Sequence, residues 1–184
     1  MQTDRSRFAR FASRLAQVIR KRKSMNVEKI MTKSVKSCMP EHSAAEAARI
    51  MWEHDCGCVP VVDESDRIVG MITDRDICMA AYLKGRDPQE IPVRDIMSAQ
   101  IFTCRPDDTV QTAERVMRRA QVRRLPVTNA SNRLVGILSL NDIAREAERE
   151  QRISSPEVGL EDVALTLSAV GNQHSTLRTA SLPS

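Results

Sequence analysis

The sequence lacks long hydrophobic runs and is poor in aromatic residues. No apolar stretch of the 184 residues approaches the roughly 18 that a membrane-spanning helix requires, which argues against a transmembrane segment. Aromatic residues make up 3% of the chain, too few to build a stacking platform for single-stranded nucleic acid. The 41% hydrophobic and 28% charged residues are typical of a soluble globular chain with one domain or two very small ones.

The usual signs of catalysis are also missing. The chain contains only six glycines, and neither a Walker loop nor the Gly-x-Gly-x-x-Gly pattern of dinucleotide sites is among its motifs. Its three histidines, His42, His54 and His174, form no metal-binding pair and accompany no convincing nucleophile. We therefore expect a protein that is not an enzyme.

The cysteines do not form the pattern of a disulfide framework. There are five of them, an odd number, and no apolar segment of a secretory signal follows the N-terminal charges. A reducing cytoplasmic location is therefore expected, although the Arg-rich start is similar in composition to an organellar transit peptide. Within His54-Asp-Cys56-Gly-Cys58 three zinc ligands are available, but a fourth is not obvious and the spacing is not that of a zinc knuckle or ribbon. Buried thiols are the favoured interpretation, and we expect no metal.

The positive charge is concentrated at the N-terminus. Residues 1–24 carry eight Lys or Arg against one acid, whereas the remaining 160 residues carry 20 bases and 23 acids. From Arg5 to Lys23, apolar residues at spacings of three and four predict an amphipathic helix (Phe8, Phe11, Leu15, Val18 and Ile19). This basic extension could lie on a membrane surface, contact nucleic acid, or dock on a partner or on the chain's own module.

An internal repeat organises the rest of the chain. Residues 27–77 and 93–143 align without a gap at an offset of 66, and 16 of the 51 positions are identical, which indicates a duplication. Each copy predicts a short extended segment, a helix, two strands joined by a polar turn, and a second helix. Ser43-x-x-Glu46 has the pattern of a capping box for the first helix. Because one copy of about 50 residues buries little surface, we expect the two copies to share one core.

These patterns divide the chain into five parts. The basic extension covers residues 1–24, the first repeat 25–83, a linker 84–92 and the second repeat 93–149. Residues 150–184 contain a weak helical run, Val158 to Val170, after a start signal at Ser155-Pro156-Glu157, and then a polar end that we expect to be disordered.

Three segments that occur in both copies resemble a known family. They are Ile-Met-[Ser/Thr], a hydrophobic residue before Pro-Val, and Gly followed by a [Thr/Ser]-x-x-Asp ending, for example Gly70 to Asp76 and Gly136 to Asp142. This combination is similar to the cystathionine-β-synthase (CBS) domain, and two tandem copies resemble a CBS pair, or Bateman module. The resemblance implies an α+β fold of two β-α-β-β-α repeats related by a pseudo-two-fold axis.

The resemblance also implies a ligand, because members of this family commonly bind AMP, ADP, ATP, NAD or S-adenosylmethionine. By resemblance, Asp76 and Asp142 would bind ribose hydroxyls, and Thr73 and Ser139 would contact ribose or phosphate. The adenine would lie between the first extended segment of a copy, near Ser37 or Thr103, and the residue before the proline, Val59 or Leu125.

The residue types agree with that chemistry. A carboxylate accepts two hydrogen bonds from a vicinal diol, and a hydroxyl at a helix N-terminus stands beside free backbone N–H groups. Arg75, Arg123 and Arg124 would supply charge for phosphate. The copies differ at these positions, because Asn141 replaces Arg75 and Gly57-Cys58 replace the arginine pair. The alternative is that Thr73, Ser139 and the two aspartates only cap helices.

The leading functional hypothesis is a non-enzymatic sensor that binds an adenosine-containing nucleotide in the cleft between the repeats and signals to an unknown partner by a conformational change. The alternative is a ligand-free interaction module whose basic residues 1–24 contact nucleic acid or a membrane. From the family resemblance we also expect a homodimer packed through the helices of each copy.

Overall fold

The structure is a computed structural model that describes residues 24–150 and 156–171. The amphipathic helix predicted over residues 5–23 and the disorder predicted at the C-terminus lie outside the described residues. Within the part that is described, no helix is both long and apolar enough to cross a bilayer.

The two copies have the same elements in the same order, which confirms the predicted α+β class of two repeats. The first repeat contains helix α1 (Ala44–Glu53), strands β1 (Cys58–Val62) and β2 (Ile68–Thr73), and helix α2 (Asp74–Lys84). The second contains α3 (Val110–Ala120), β3 (Arg124–Thr128), β4 (Leu134–Ser139) and α4 (Leu140–Glu150), and α5 (Leu160–Gly171) follows. The predicted first strand of each repeat is reduced to a single parallel bridge, Cys38 to Val61 and Cys104 to Val127.

The hairpin turns use the same device in both repeats. In the first, Asp63 Oδ1 accepts hydrogen bonds from the backbone N–H groups of Ser65 and Arg67. In the second, Asn129 Oδ1 accepts from the equivalent amides. Both turns then pass through a left-handed residue, Asp66 or Asn132, a conformation that these two residue types tolerate better than most.

The helix caps follow the sequence pattern with one exception. The Ser43 hydroxyl accepts from the Glu46 amide at 3.2 Å, as predicted. The reciprocal half of the predicted capping box is not made, because the Glu46 carboxylate lies beside His42, with 3.6 Å between Oε1 and Nδ1. Complete capping boxes are at the start of α2, between Thr73 and Asp76, and at the start of α4, between Ser139 and Asp142.

The leading segments of the two repeats are exchanged. Backbone bridges join Asn26 to Thr109 and Thr32 to Ile137, while the equivalent bridges join Ser43 to Pro92 and Met71 to Ser98. Every partner in one pair corresponds to a partner in the other at the offset of 66, as a two-fold relation requires. Each repeat therefore receives the first segment of the other.

This exchange corrects the expectation of one shared core. The structure has two clusters of buried residues, one in each repeat. Met25 and Val27 belong to the cluster of the second repeat, and Ile91 and Val93 belong to that of the first. Both Ile91 and Val93 are fully buried, so the predicted linker 84–92 contains a core residue, Ile91, near its end.

Two glycines allow the exchanged segments to cross the hairpins. A Cβ on Gly136 would lie 2.7 Å from the Met31 Sδ and 3.0 Å from the Thr32 carbonyl oxygen. A Cβ on Gly70 would lie 2.5 Å from the Met97 Sδ. The Ile-Met segment of each copy and the glycine of the other copy are therefore two halves of one packing contact.

Helix α5 covers the helices of the second repeat. It packs against α3 and α4, and the buried Val158 that precedes it belongs to the core cluster of that repeat. Glu150, at the end of α4, accepts backbone hydrogen bonds from Glu157 and Val158 at 2.6 and 2.9 Å. The predicted helical run over 158–170 is thus present as an integral layer of the second repeat.

Candidate functional site

Two clefts between the repeats contain most of the polar residues that the sequence singled out. They are related by the offset of 66, so that nearly every residue lining one cleft has its equivalent in the other. Each cleft combines the start of the last helix of one repeat with the leading segment and the first hairpin strand of the other repeat. The exchange of leading segments therefore builds both clefts.

The first cleft contains Thr73 and Asp76. Asp76 Oδ2 accepts hydrogen bonds from the Thr73 backbone N–H at 2.9 Å and from the Thr73 hydroxyl at 2.7 Å. Thr73 Oγ1 in turn accepts from the Asp76 amide at 3.2 Å. Asp76 Oδ1 has no hydrogen-bond partner among residues 24–150 and 156–171. This carboxylate is held in place by one oxygen, and Asp76 lines the cleft.

Two arginines of the second repeat, Arg123 and Arg124, lie across the first cleft from Asp76. Strand β3 begins at Arg124, and the left-handed Gln121 that ends α3 directs the chain toward the cleft. The cavity has a volume of about 270 Å³, and its remaining lining residues come from both repeats: Cys58, Met71, Ser98, Gln100, Ile101, Phe102, Gln121, Val122 and Pro126.

The second cleft is larger, and both carboxylate oxygens of its aspartate accept hydrogen bonds. Asp142 Oδ2 accepts from the Ser139 N–H and hydroxyl at 2.8 and 2.6 Å, the same arrangement as in the first cleft. Its Oδ1, however, accepts a hydrogen bond from Arg145 Nη2. The cavity of about 540 Å³ is also lined by Thr32, Ser34, Val35, Lys36, His54, Asp55, Cys56, Cys58, Pro60, Arg124, Ile137 and Asn141.

The clefts differ in their charges as well. Arg124 lines both of them, and the second adds Lys36 and Arg145. The acid Asp55 lies in the second cleft, where the equivalent residue of the first is the neutral Gln121. Both clefts can therefore hold an anion, but a free carboxylate oxygen is present only at Asp76 of the two aspartates.

The remaining predicted residues do not meet in these clefts. Arg75 is exposed and lines neither cavity. Ser37 lines a separate cavity of about 260 Å³, and Thr103 follows Phe102 of the first cleft without lining it. Val59 and Leu125 are fully buried in the cores, where they support the cleft residues Cys58 and Arg124. The binding roles assigned to these five residues stay predictions.

Sequence reasoning missed two basic residues of the second cleft, Lys36 and Arg145, and considered His54 only as a zinc ligand. Lys36 and Arg145 are remote from each other in sequence, and the residues at their equivalent positions in the other repeat are the neutral Phe102 and Met79. The one signal for Arg145 is its position three residues after Asp142, where helical geometry brings the two side chains together.

The residues considered for zinc do not gather into a metal site. Among the described residues, no group of three or more His, Cys, Asp or Glu is placed to hold a metal ion. Burial raises the pKa of Cys58 to about 11, and the nearby Arg124 lowers it only in part. Zinc binds the thiolate, so its binding at Cys58 would have to displace a proton. The buried Cys38 and Cys104 have raised pKa values of about 11 and 12 for the same reason.

Comparison with known proteins supports the resemblance found in the sequence. The family model described as CBS domain matches residues 27–82 and 93–149. A CBS domain-containing protein of Bacillus subtilis, YhcV, is 38% identical over 119 residues, which are 65% of this chain and 83% of YhcV.

Two solved structures are similar to this fold and differ in what they hold. The CBS domain pair of protein MJ0100, in complex with 5′-methylthioadenosine and S-adenosyl-L-methionine, is 27% identical with a TM-score of 0.64, and the match covers 70% of this chain and 99% of that one. Hypoxic Response Protein I, with two coordinated zinc ions, is 34% identical with a TM-score of 0.60, and the match covers 66% and 98% of the two chains.

The zinc ions in that similar structure correct one expectation from the sequence. An adenine nucleotide and no metal were predicted here, and the exclusion of metal was wrong, because a protein 34% identical to this chain coordinates two zinc ions. The sequence argument looked for ligands at the local spacings of known zinc motifs. Metal ligands can also come together from positions that are far apart in sequence, as the cleft residues here do.

Proposed function

Because this chain belongs to the CBS domain family, we propose that it is a regulatory module that binds an adenosine-containing ligand in the first cleft. The observation that carries the proposal is Asp76, whose Oδ2 is fixed by Thr73 and whose Oδ1 has no partner among the described residues. A carboxylate oxygen in this state accepts hydrogen bonds from the vicinal hydroxyls of ribose without first losing a protein contact.

The two arginines across the cleft extend this recognition to phosphate. Arg123 and Arg124 line the same cavity as Asp76, and a guanidinium donates paired hydrogen bonds to phosphate oxygens. A ligand that carries both ribose and phosphate would therefore contact Asp76 of the first repeat and Arg124 of the second. An uncharged adenosine derivative would use the ribose contact alone.

Contacts on both repeats give the module a way to signal. A ligand that bridges the first and second repeats stabilises the relative orientation in which Asp76 and Arg124 face each other. The ligand can shift the equilibrium between orientations only by the difference between its binding free energies for them. A partner protein that recognises one orientation would respond to that shift. The module needs no catalytic step for this role.

The second cleft is the weaker site in this proposal. Arg145 donates to Asp142 Oδ1, so a ribose would have to displace it. Phosphate groups would favour that displacement, because the released guanidinium could bind them together with Lys36. The second cleft is thus expected to take a ligand with more phosphates than the first, if both are filled.

The test is thermal unfolding of the full chain with AMP, ATP, S-adenosylmethionine or 5′-methylthioadenosine, with ZnCl2 as a separate arm. A ligand at 100 times its Kd raises the free energy of unfolding by about 2.7 kcal/mol. In Asp76→Asn the amide oxygen can still accept from Thr73, but an NH2 group then faces the ribose. We expect this variant to lose most of the shift.

Asp142→Asn is the matched control, because it changes the same type of helix cap in the second repeat. It is expected to keep the shift at the ligand concentration that saturates the first cleft. Equal loss in both variants would contradict the assignment to the first cleft. No shift with any adenosine compound would contradict the proposed function and favour a ligand-free interaction module.

A further inference from the structure

One arginine lies at the boundary between the two clefts. Arg124 lines both cavities, the first with Asp76 and the second with Asp142. It stands on strand β3 opposite Ser139, whose hydroxyl caps the helix of the second cleft. Its Nη2 reaches the first repeat, because a Cβ placed on Gly57 would lie 3.8 Å from it. The Arg124 side chain thus crosses from one repeat to the other between the two sites.

The guanidinium of Arg124 is not committed to another group of the protein. Among residues 24–150 and 156–171 it makes no hydrogen bond and no ion pair, although the residue is half-buried. Removing a charged group from water without pairing it costs free energy. A phosphate that accepts the paired N–H groups of the guanidinium would recover this cost.

The other cations of the two clefts are more exposed than Arg124. Arg123 in the first cleft and Lys36 in the second are exposed to solvent. Arg145 is exposed as well, and it already donates to Asp142 Oδ1. Because water screens an exposed charge more strongly than a half-buried one, Arg124 is the cation that contributes most to phosphate binding in both clefts.

The duplication supplies no second cation at this boundary. At the offset of 66 the equivalent of Arg124 is Cys58, which also lines both clefts. Cys58 is buried, and burial raises the pKa of its thiol to about 11, so the side chain is neutral. A symmetric module would give each cleft an arginine of its own, whereas here two clefts share one.

We propose that Arg124 couples the two clefts, so that a phosphate-bearing ligand in one weakens the binding of a phosphate-bearing ligand in the other. This inference rests on the proposed function, because it requires that the clefts bind adenosine-containing ligands. The guanidinium makes its paired hydrogen bonds to one phosphate at a time. A second ligand would then find only the exposed cations and would also be repelled by the charge of the first.

The coupling is reciprocal, and it depends on the charge of the ligand. Whichever cleft is filled first, the other loses affinity by the same factor, and couplings between sites are typically roughly 5- to 150-fold. An uncharged ligand such as 5′-methylthioadenosine does not need the guanidinium and should fill the clefts independently. With a phosphate-bearing ligand, the module would pass from one bound ligand to two over a wide range of concentration.

The test is isothermal titration calorimetry of the full chain with ADP, and with 5′-methylthioadenosine as the uncharged control. Asp76→Asn disables the first cleft and measures the second alone, and Asp142→Asn measures the first alone. In the parent protein the second ADP should bind at least about fivefold more weakly than the weaker cleft does in its single-cleft variant. For 5′-methylthioadenosine the two affinities should agree within about twofold, as for uncoupled sites.

Two arginine variants show whether the shared residue carries the coupling. Arg124→Gln should weaken ADP binding at both clefts and remove most of the coupling. Its binding of 5′-methylthioadenosine should be unchanged, which shows that both clefts are intact. Arg123→Gln is the matched control, because Arg123 lines only the first of the two clefts. It should weaken ADP binding at the first cleft and keep the coupling.

The outcomes separate this inference from the function on which it rests. If neither compound binds, the proposed function fails as well. The inference alone is overturned if the second ADP binds as tightly as in the single-cleft variant, or if the coupling persists in Arg124→Gln. It is also overturned if 5′-methylthioadenosine binds and ADP does not, or if both compounds bind at one site per chain. Two sites for 5′-methylthioadenosine and one for ADP would be the strongest form of the expected coupling.

Discussion

Glu114 makes the attachment of α5 dependent on pH. The residue is buried between α3 and α5 with 1% of its surface exposed, and its Oε1 accepts from the Thr166 hydroxyl. Burial, and then the neighbouring Asp162, raise its pKa from the ordinary 4.5 to about 7, and Arg118 and Thr166 counteract this only in part. The carboxyl is therefore protonated in the folded protein at mildly acidic pH.

The sign of the effect follows from proton binding. Between pH 4.5 and 7 the folded state holds a proton on Glu114 that the unfolded state has released. The folded protein is thus stabilised by this group below about pH 4.5, and the stabilisation is lost as pH rises through 7. A difference of about 2.5 pKa units corresponds to about 3 kcal/mol in the free energy of unfolding.

The variant Glu114→Gln isolates this contribution, because glutamine has the same shape and no charge. We expect it to resemble the parent protein near pH 5 and to be more stable by about 3 kcal/mol at pH 8. In a chain of this size that difference raises the Tm by about 6 to 12 °C.

The assay is urea unfolding of both proteins at pH 5, 6, 7 and 8. Taking the difference between parent and variant at each pH cancels the titration of all other groups. Glu146→Gln, at a carboxylate on α4 that pairs with Arg149, serves as the control for the loss of a helix carboxylate and should give a small difference. A Glu114→Gln difference that stays constant from pH 5 to 8 would refute the reasoning.

Two further predictions concern the exchanged segments. Gly136→Ala should destabilise the protein by about 1 to 3 kcal/mol, because the added Cβ would meet the Met31 Sδ and the Thr32 carbonyl oxygen. That carbonyl is held by a hydrogen bond from the Ile137 amide. Urea unfolding measures the change, and an unchanged midpoint would contradict the contact. Ile91→Ala should lower the free energy of unfolding by about 2 to 5 kcal/mol, because Ile91 is fully buried. Gln89→Ala, at an exposed site nearby, is the control and should lower it little. Equal effects would show that Ile91 does not belong to a core.

The local structure of the repeats could be predicted because it depends on neighbouring residues. The polar turn at Asp63 to Asp66 and the helix start at Thr73 to Asp76 each contain their own determinants, and the second copy repeats them at a fixed offset. The exchange of leading segments could not be predicted in this way. Met31 is apolar and follows an isoleucine, and nothing in that pattern says which of the two hairpins it crosses.

The site was predictable to the same extent. Thr73 with Asp76, and Ser139 with Asp142, are local motifs whose mutual contacts the sequence predicts, and their binding roles stay predictions. The hydrogen bond from Arg145 to Asp142 depends on helix geometry. The position of Lys36 in the second cleft depends on the exchange of leading segments. The covering of α3 by α5 turns Glu114 into a buried acid, although its sequence neighbours are those of an ordinary surface helix.

The exchange of leading segments also sets the order in which the chain can fold during synthesis. Met25 and Val27 are made before most of the cluster that they complete, which contains residues from Cys104 to Val158. The first repeat must likewise wait for Ile91 and Val93. The leading segment of the first repeat is thus made before the rest of the module but is one of its last parts to find its native neighbours. A nascent or prematurely ended chain that stops after the first repeat would expose Met25 and Val27, and a quality-control protease could recognise it by them.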